Sequence, residues 1–210
     1  MLISYQNRID TSVFGAYGSW QAALPLTNLQ NRTLSKVARS TNAANTSTRL
    51  RFTLDTARVI SAVSIINHNL STTAQYRYRV FSDSAYTTIE YDSGLINAWA
   101  TAAFGAYEWE DLRFWDLTIT DDDKALFTKT LTHIPTTLVS EMYYQIEFFD
   151  ASNPDIFVEI GRIFVGAAYQ PVVNMSLGAS ISYENNTLID SALSWAEYFD
   201  RRNSYRVARF

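Results

Sequence analysis

The sequence contains no cysteine, only two histidines, and few glycines and prolines (7 and 4) for its 210 residues. The absence of cysteine excludes a disulfide framework, a thiolate metal site and a cysteine nucleophile. No segment approaches the ~18 uninterrupted apolar residues that a membrane helix requires, and the first residues lack the basic and apolar regions of a signal peptide. We therefore expect no membrane insertion and a fold stabilised by packing alone.

The abundant residues favour strands. Aromatic residues make up 14% of the chain, with 13 Tyr and 12 Phe, and hydrophobic residues make up 47%. Tyr, Phe, Thr, Val and Ile pack well on the pleated surface of a sheet. This composition is typical of an ordered globular protein rich in β structure.

Several segments alternate with period two. In "YRYRVF", Tyr76, Tyr78 and Val80 share one side of a strand, and arginines lie between them. "TRLRFTL" near residue 50, "LRFWDLTI" from Leu112 and "MYYQIEFF" from Met142 alternate similarly, whereas "RVISAVSII" and "IFVEIGRIFVG" fit strands covered on both faces. Turn-forming clusters separate these segments. The pattern predicts an all-β fold, an antiparallel jelly roll or β-sandwich of about eight strands.

The chain divides by composition into three parts. Residues 1–19 form an N-terminal segment, and residues 20–168 carry the strand patterns of the jelly-roll domain. Residues 169–210 alternate only in patches and are interrupted by Pro171 and Gly178. We expect this last part to be an extended arm or a set of added strands that docks onto a partner.

The titratable residues show no catalytic or metal-binding pattern. His68 follows the apolar run of "VSIINHNLS" and precedes turn-forming residues, so we interpret it as the structural end of a strand. His133 lacks the spacing of a metal pair, and the carboxylates near Glu108, Glu110 and Asp121 lack the alternating oxygen ligands of a calcium loop. We predict no enzyme activity, no cofactor and no metal; a hydrolase acting through Glu108 or Glu110 is a weaker alternative.

The charge distribution is asymmetric. Residues 1–80 carry nine Lys or Arg against two acids, and residues 81–161 carry three against fifteen. The basic residues are scattered singly along strands, which does not indicate a nucleic-acid surface. Opposite charges instead suit contacts between the two parts of the chain or between subunits.

Loop aromatics are the candidate ligand-binding residues. "INAWATAAFGAYEWE" contains Trp99, Tyr107 and Trp109 near carboxylates, and flat rings beside hydrogen-bond acceptors are suited to binding sugar rings. The alternative is that these rings close one end of the sandwich or contact a neighbouring subunit. Both interpretations remain open at this point.

Four segments resemble a known group of proteins: "LPLTNLQNRTLSKVARST", "VSIINHNLSTTAQYRYRVFSD", "YDSG" and "IGRIFVGAAYQPVVNMSLGASISYE". From about residue 20 to the C-terminus the chain resembles structural proteins of the tail tip or baseplate of tailed bacteriophages, which carry a galactose-binding-like (discoidin-like) jelly roll. In this group the turn "HNLS" closes a strand. The resemblance implies a virion protein of the phage tail, made in the bacterial host cytoplasm.

The resemblance also implies partners. We expect contacts with other tail-tip or baseplate proteins, in a homo-oligomeric ring or as copies around a hub. Docking would bury apolar residues of the C-terminal arm against another subunit, namely Val172, Val173, Met175, Leu177 and Ile181. The alternative function is a carbohydrate-binding module that contacts glycans of the host surface.

Overall fold

The computed structural model of the protein describes residues 3–99, 108–110, 124, 128–170, 180–184, 188–191, 197–200 and 205–209. These residues are organised mainly as antiparallel strands. The strands are β1 (Ile3–Ser4), β2 (Val13–Gly15), β3 (Ala38–Arg39), β4 (Arg49–Val59), β5 (Ala62–His68), β6 (Gln75–Phe81), β7 (Ile89–Asp92), β8 (Ile96–Asn97), β9 (Thr130–His133), β10 (Ser140–Phe149), β11 (Glu159–Gly166), β12 (Ala168–Tyr169), β13 (Ser180–Glu184), β14 (Leu188–Ser191), β15 (Glu197–Asp200) and β16 (Tyr205–Arg209).

Two sheets form the body of the fold. The larger has the order β2-β4-β10-β6-β7, with β8 also paired to β6, and the smaller has the order β3-β11-β5-β9. Non-consecutive strands are neighbours in both sheets, as when β10 inserts between β4 and β6. A single hydrophobic cluster contains residues of both sheets, so the sheets pack face to face as a sandwich. The predicted all-β class is confirmed.

Alternation decides which face of the larger sheet is buried. On β6, Tyr76, Tyr78 and Val80 are 4%, 1% and 2% exposed, as the pattern of "YRYRVF" predicts. Phe52 of β4 stacks on Tyr144 of β10 with ring centroids 5.2 Å apart. Successive side chains of a strand point to opposite faces, so these rings belong to the core while the arginines between them lie on the outer face.

Two 3₁₀ helices, Arg8–Thr11 and Leu26–Gln30, contribute to the same core. Ile9 and Leu29 are fully buried, and the first helix contacts both β4 and β11. Asn7 attaches this helix to β11, because its side chain donates to the Ile163 carbonyl at 2.9 Å and accepts from Val165 N at 2.8 Å. The helix Arg8–Thr11 is thus packed onto the sandwich.

The chain separates into two compact units. The sandwich unit spans Ser4–Ala168, and the other unit comprises Met1–Ile3 with Tyr169–Phe210. In the described part of the second unit, β13 pairs with β16 and β14 pairs with β15, both antiparallel. The proposed division into residues 1–19, 20–168 and 169–210 stays a prediction.

Candidate functional site

The described members of the predicted aromatic set lie in different environments. Trp99 is 8% exposed; its indole Nε1 donates to the Leu70 carbonyl at 3.3 Å and its ring meets His68 edge to face. Trp109, by contrast, is 73% exposed. Tyr107 lies outside the described residues. Trp109 is therefore the described member whose ring is open to a ligand.

The predicted docking residues Val172, Val173, Met175 and Leu177 also lie outside the described residues. Ile181 is described only through its backbone, which pairs with Ala208 between β13 and β16. Docking through these residues stays a prediction.

An aromatic groove of about 370 Å³ lies along the edge of the larger sheet, where residues 14–18, 20–22 and 25–27 line it. Phe14, Tyr17 and Trp20 supply three half-buried rings. Gln21 and Thr27 add polar side chains that make no hydrogen bond within the described part of the chain. Rings together with a few free polar groups are the usual lining of a small-molecule site.

The rings of the aromatic groove are held in place. Trp20 Nε1 donates to the Arg49 carbonyl at 2.8 Å, and the Tyr17 hydroxyl accepts from Arg49 Nη1 at 3.0 Å. Phe14 packs edge-on against the core residue Phe52. Gly18 has φ +81°, and a Cβ there would lie 2.2 Å from the Arg49 carbonyl oxygen. Only glycine therefore allows the loop to approach β4 so closely.

The outer face of the larger sheet beside the aromatic groove carries what we call the arginine face: Arg49, Arg51, Arg79, Gln145 and Glu147. Glu147 is 4% exposed; its Oε2 lies 2.7 Å from Arg79 Nη2 and its Oε1 lies 3.9 Å from Arg49 Nη1. Gln145, 1% exposed, donates to the same carboxylate at 2.9 Å. The buried acid is thus fully engaged by neighbours, as a buried charge requires.

The two histidines are core residues. His68 ends β5 at 2% exposure, and its Nδ1 accepts from Leu70 N at 3.3 Å, which confirms the structural role predicted for it. His133 is 5% exposed and lies between the hydroxyls of Tyr76 (3.1 Å) and Tyr91 (3.4 Å). The pKa of each histidine is lowered from 6.5 to about 4, mainly by burial; for His68 two nearby lysines contribute to the same shift.

The turn after His68 is fixed by polar side chains. Asp150, 2% exposed, accepts from Ser71 N at 2.9 Å and from the Ser71 hydroxyl, and Asn153 Nδ2 donates to it at 2.7 Å. The Asn69 side-chain Oδ1 also accepts a hydrogen bond from Glu159 N at 2.8 Å. Each polar group is satisfied by a structural partner, so "NHNLS" closes a corner of the fold.

The described residues contain no group of three or more His, Asp or Glu placed to hold a metal ion. No helix among them is long and apolar enough to cross a membrane.

Comparison with solved structures identifies the fold. The family 32 carbohydrate-binding module (CBM) from C. perfringens NanJ, in complex with galactose, matches with TM-score 0.50 and 10% identity over 80% of this chain and 100% of that one. The fold is a galactose-binding-like jelly roll. CBM32-1 of a family 31 glycoside hydrolase from Clostridium perfringens also matches, with TM-score 0.49 and 10% identity over 78% and 99% of the two chains.

A third match is longer than this chain. Truncated AlyQ, with CBM32 and alginate lyase domains, matches with TM-score 0.46 and 13% identity, over 84% of this chain but only 36% of AlyQ. This chain spans about a third of the length of truncated AlyQ. No protein-family model and no curated protein matches the sequence.

Sequence reasoning missed the aromatic groove. The signal was present in "SVFGAYGSW", residues 12–20, which places three aromatic residues and two glycines in one short loop segment. The sequence predicts an N-terminal segment over residues 1–19, which divides this stretch just before Trp20, although β2 within that segment pairs with β4. That pairing is what brings the rings to the sheet edge.

Proposed function

We propose that the protein is a non-catalytic carbohydrate-binding module whose ligand lies in the aromatic groove. One observation carries the proposal: a galactose-binding-like jelly roll presents three fixed rings, Phe14, Tyr17 and Trp20, around a groove of about 370 Å³. Aromatic faces suit the apolar faces of sugar rings, and Gln21 and Thr27 can bond to hydroxyls. The galactose complex of the NanJ module supports the choice of ligand class.

The absence of catalysis is part of the proposal. Both histidines are buried and neither lines the aromatic groove, and the candidate hydrolytic carboxylates, Glu108 and Glu110, are exposed. Within the described residues, the nearest polar neighbours of His133 are tyrosine hydroxyls. Incubation with bacterial surface polysaccharide should release no reducing ends; release that Glu108→Gln or Glu110→Gln abolishes would show a hydrolase.

The test of binding is a glycan array followed by calorimetric titration with the glycans that bind. Trp20→Ala should reduce affinity at least tenfold, because ring stacking and packing are lost together. Trp109→Ala is the matched control: it removes an exposed tryptophan of the set predicted from the sequence. Thermal unfolding of both variants separates lost binding from lost folding.

Three outcomes decide the proposal. Loss of binding with Trp20→Ala alone supports the aromatic groove. Loss of binding with Trp109→Ala alone contradicts the aromatic groove and indicates that the ligand binds at the loop aromatics instead. No binding to any glycan contradicts the function itself.

A second candidate function is assembly into a phage tail, in a virion built in the bacterial host. The sequence resemblance motivates it, and the second unit supports it, since its described residues form the strand pairs β13–β16 and β14–β15, which a partner could extend. Partners would be other tail-tip or baseplate proteins. Removing residues 170–210 should prevent incorporation into particles; normal incorporation of the shortened chain would contradict this role.

A further inference from the structure

We propose that the ligand of the aromatic groove is an acidic saccharide, whose carboxylate is recognised by Arg51. This inference rests on the proposed function and adds a substrate class to it. The arginine face beside the groove carries it.

Positive charge on the arginine face exceeds negative charge. Arg49, Arg51 and Arg79 come from the two strands that flank β10, and Glu147 is the acid among them. Glu147 pairs closely with Arg79 at 2.7 Å and only distantly with Arg49 at 3.9 Å. With three arginines and one glutamate, the face as defined has a net charge of +2, and half-buried positive charge attracts anions.

Among the three arginines of this face, Arg51 is the one that forms no ion pair with a described carboxylate. Its Nε donates to the neutral Gln145 Oε1 at 2.8 Å, and no carboxylate of the described residues lies within ion-pair distance of it. By contrast, Arg58 on the same strand pairs with Asp55 at 3.3 Å. Arg51 thus retains N–H donors for a partner from outside the chain.

Two rings orient the Arg51 guanidinium. Its carbon lies 3.8 Å from the ring centroid of Tyr17 and 4.1 Å from that of Tyr86. A planar group contacted by two aromatic rings is restricted to its edge for hydrogen bonding, and the edge is where a carboxylate binds in the bidentate manner. Lysine cannot reproduce this fork geometry.

The loop between β6 and β7 is shaped to place Tyr86. Tyr86 has φ +59°, a left-handed conformation that is strained for a residue other than glycine. Asp83 holds the loop by accepting from Thr87 N at 3.0 Å and from Thr88 N at 2.6 Å. Strained residues maintained in this way concentrate at ligand sites, which is consistent with Tyr86 serving Arg51.

The aromatic groove and Arg51 adjoin one another. Gly15, which lines the groove, pairs directly with Arg51 in the β2–β4 ladder and has no side chain to separate them. Tyr17 lines the groove and also lies against Arg51. A saccharide bound next to Tyr17 is therefore adjacent to a cation that has no acidic partner, and an acidic sugar gains most from that position.

The experiment compares oligogalacturonate with galactose oligomers of equal length, using the full chain and isothermal titration calorimetry. Charge-assisted hydrogen bonds contribute about 1.5 to 3 kcal/mol, so the acidic oligomer should bind at least about tenfold more tightly. Arg51→Gln should reduce affinity for the acidic oligomer at least about tenfold more than affinity for the neutral one. The affinity of Arg51→Lys for the acidic oligomer should lie between those of the wild type and Arg51→Gln, because lysine keeps the charge but cannot form the bidentate hydrogen bonds of a guanidinium.

Arg58→Gln is the matched control, since it removes an arginine of the same strand whose charge Asp55 already compensates. Thermal unfolding of each variant excludes misfolding as the cause of any loss. Equal affinity for the two oligomers, or equal losses on Arg51→Gln, would overturn the inference and leave the carbohydrate-binding function standing. If neither these oligomers nor any glycan of the array binds, the proposed function is wrong and the inference falls with it.

Discussion

Acidification should destabilise the protein through its two buried histidines. In the folded state the pKa of His68 and of His133 is lowered from 6.5 to about 4, mainly by burial. The unfolded chain therefore takes up protons first as the pH falls through 6.5, and stability declines until the folded state is protonated near pH 4. Above pH 6.5 both states are neutral and the effect vanishes.

The magnitude follows from these pKa values. Each histidine contributes about 3 kcal/mol of destabilisation once both states are protonated, and about 2 kcal/mol at pH 5. The two together should lower the free energy of unfolding by about 4 kcal/mol between pH 7 and pH 5. Asp92, whose pKa is lowered mainly by its hydrogen bond from Arg77, loses its contribution only below its ordinary value of 3.8, so it falls outside this window.

The assay is urea unfolding followed by tryptophan fluorescence at pH 7, 6 and 5. A His133→Gln variant should show about half of the pH dependence of the wild type, and a variant that also carries His68→Asn should show little of it. A free energy of unfolding that stays constant from pH 7 to pH 5 in the wild type would refute the reasoning. A double variant whose free energy of unfolding depends on pH as strongly as that of the wild type would refute it as well.

Three further predictions concern stability in urea. Phe52→Ala should cost about 3 to 5 kcal/mol, because a fully buried ring stacked on Tyr144 is removed. Gly18→Ala should cost about 3 kcal/mol or more, since its Cβ would lie 2.2 Å from a carbonyl oxygen at φ +81°. Glu147→Gln should cost about 2 kcal/mol, because it leaves the nearby guanidinium groups without their acid, although these are partly exposed to water.

Each of these has its own check. Gly94→Ala is the matched control for Gly18: its φ is +66°, but a Cβ there meets nothing within 4 Å, so its cost should be limited to about 1 kcal/mol of backbone strain. If the two substitutions lower the free energy of unfolding equally, the backbone at Gly18 does not lie as close to β4 as described. If Phe52→Ala lowers the free energy of unfolding by less than about 1 kcal/mol, the core around Phe52 is not rigidly packed. For Glu147, stability unaffected by the substitution would show that the ion pairs are solvated.

The sequence predicted the elements in which local pattern and burial agree. Tyr76, Tyr78 and Val80 alternate with arginines, and one sheet face buries them as that alternation requires. Likewise "MYYQIEFF" falls within β10. Period-two hydrophobicity is sufficient here because each strand has one core face.

Features that depend on strand order were not predictable in this way. Gln145 and Glu147 are charged or polar in the sequence yet nearly inaccessible, since β10 lies between two strands whose arginines flank it. The aromatic groove depends on β2 pairing with β4 across more than thirty residues of chain. Such contacts follow from the assembled topology rather than from any local periodicity, and one sequence alone does not specify them.

The two ends of the jelly-roll unit lie close together. Ser4 Oγ donates to the Ala167 carbonyl at 2.7 Å, so the first residue of the unit is anchored beside its penultimate residue. A domain whose two ends adjoin can be inserted into a surface loop of another protein with little distortion of that loop. We therefore expect residues 4–168 to tolerate circular permutation and insertion into a loop of another protein.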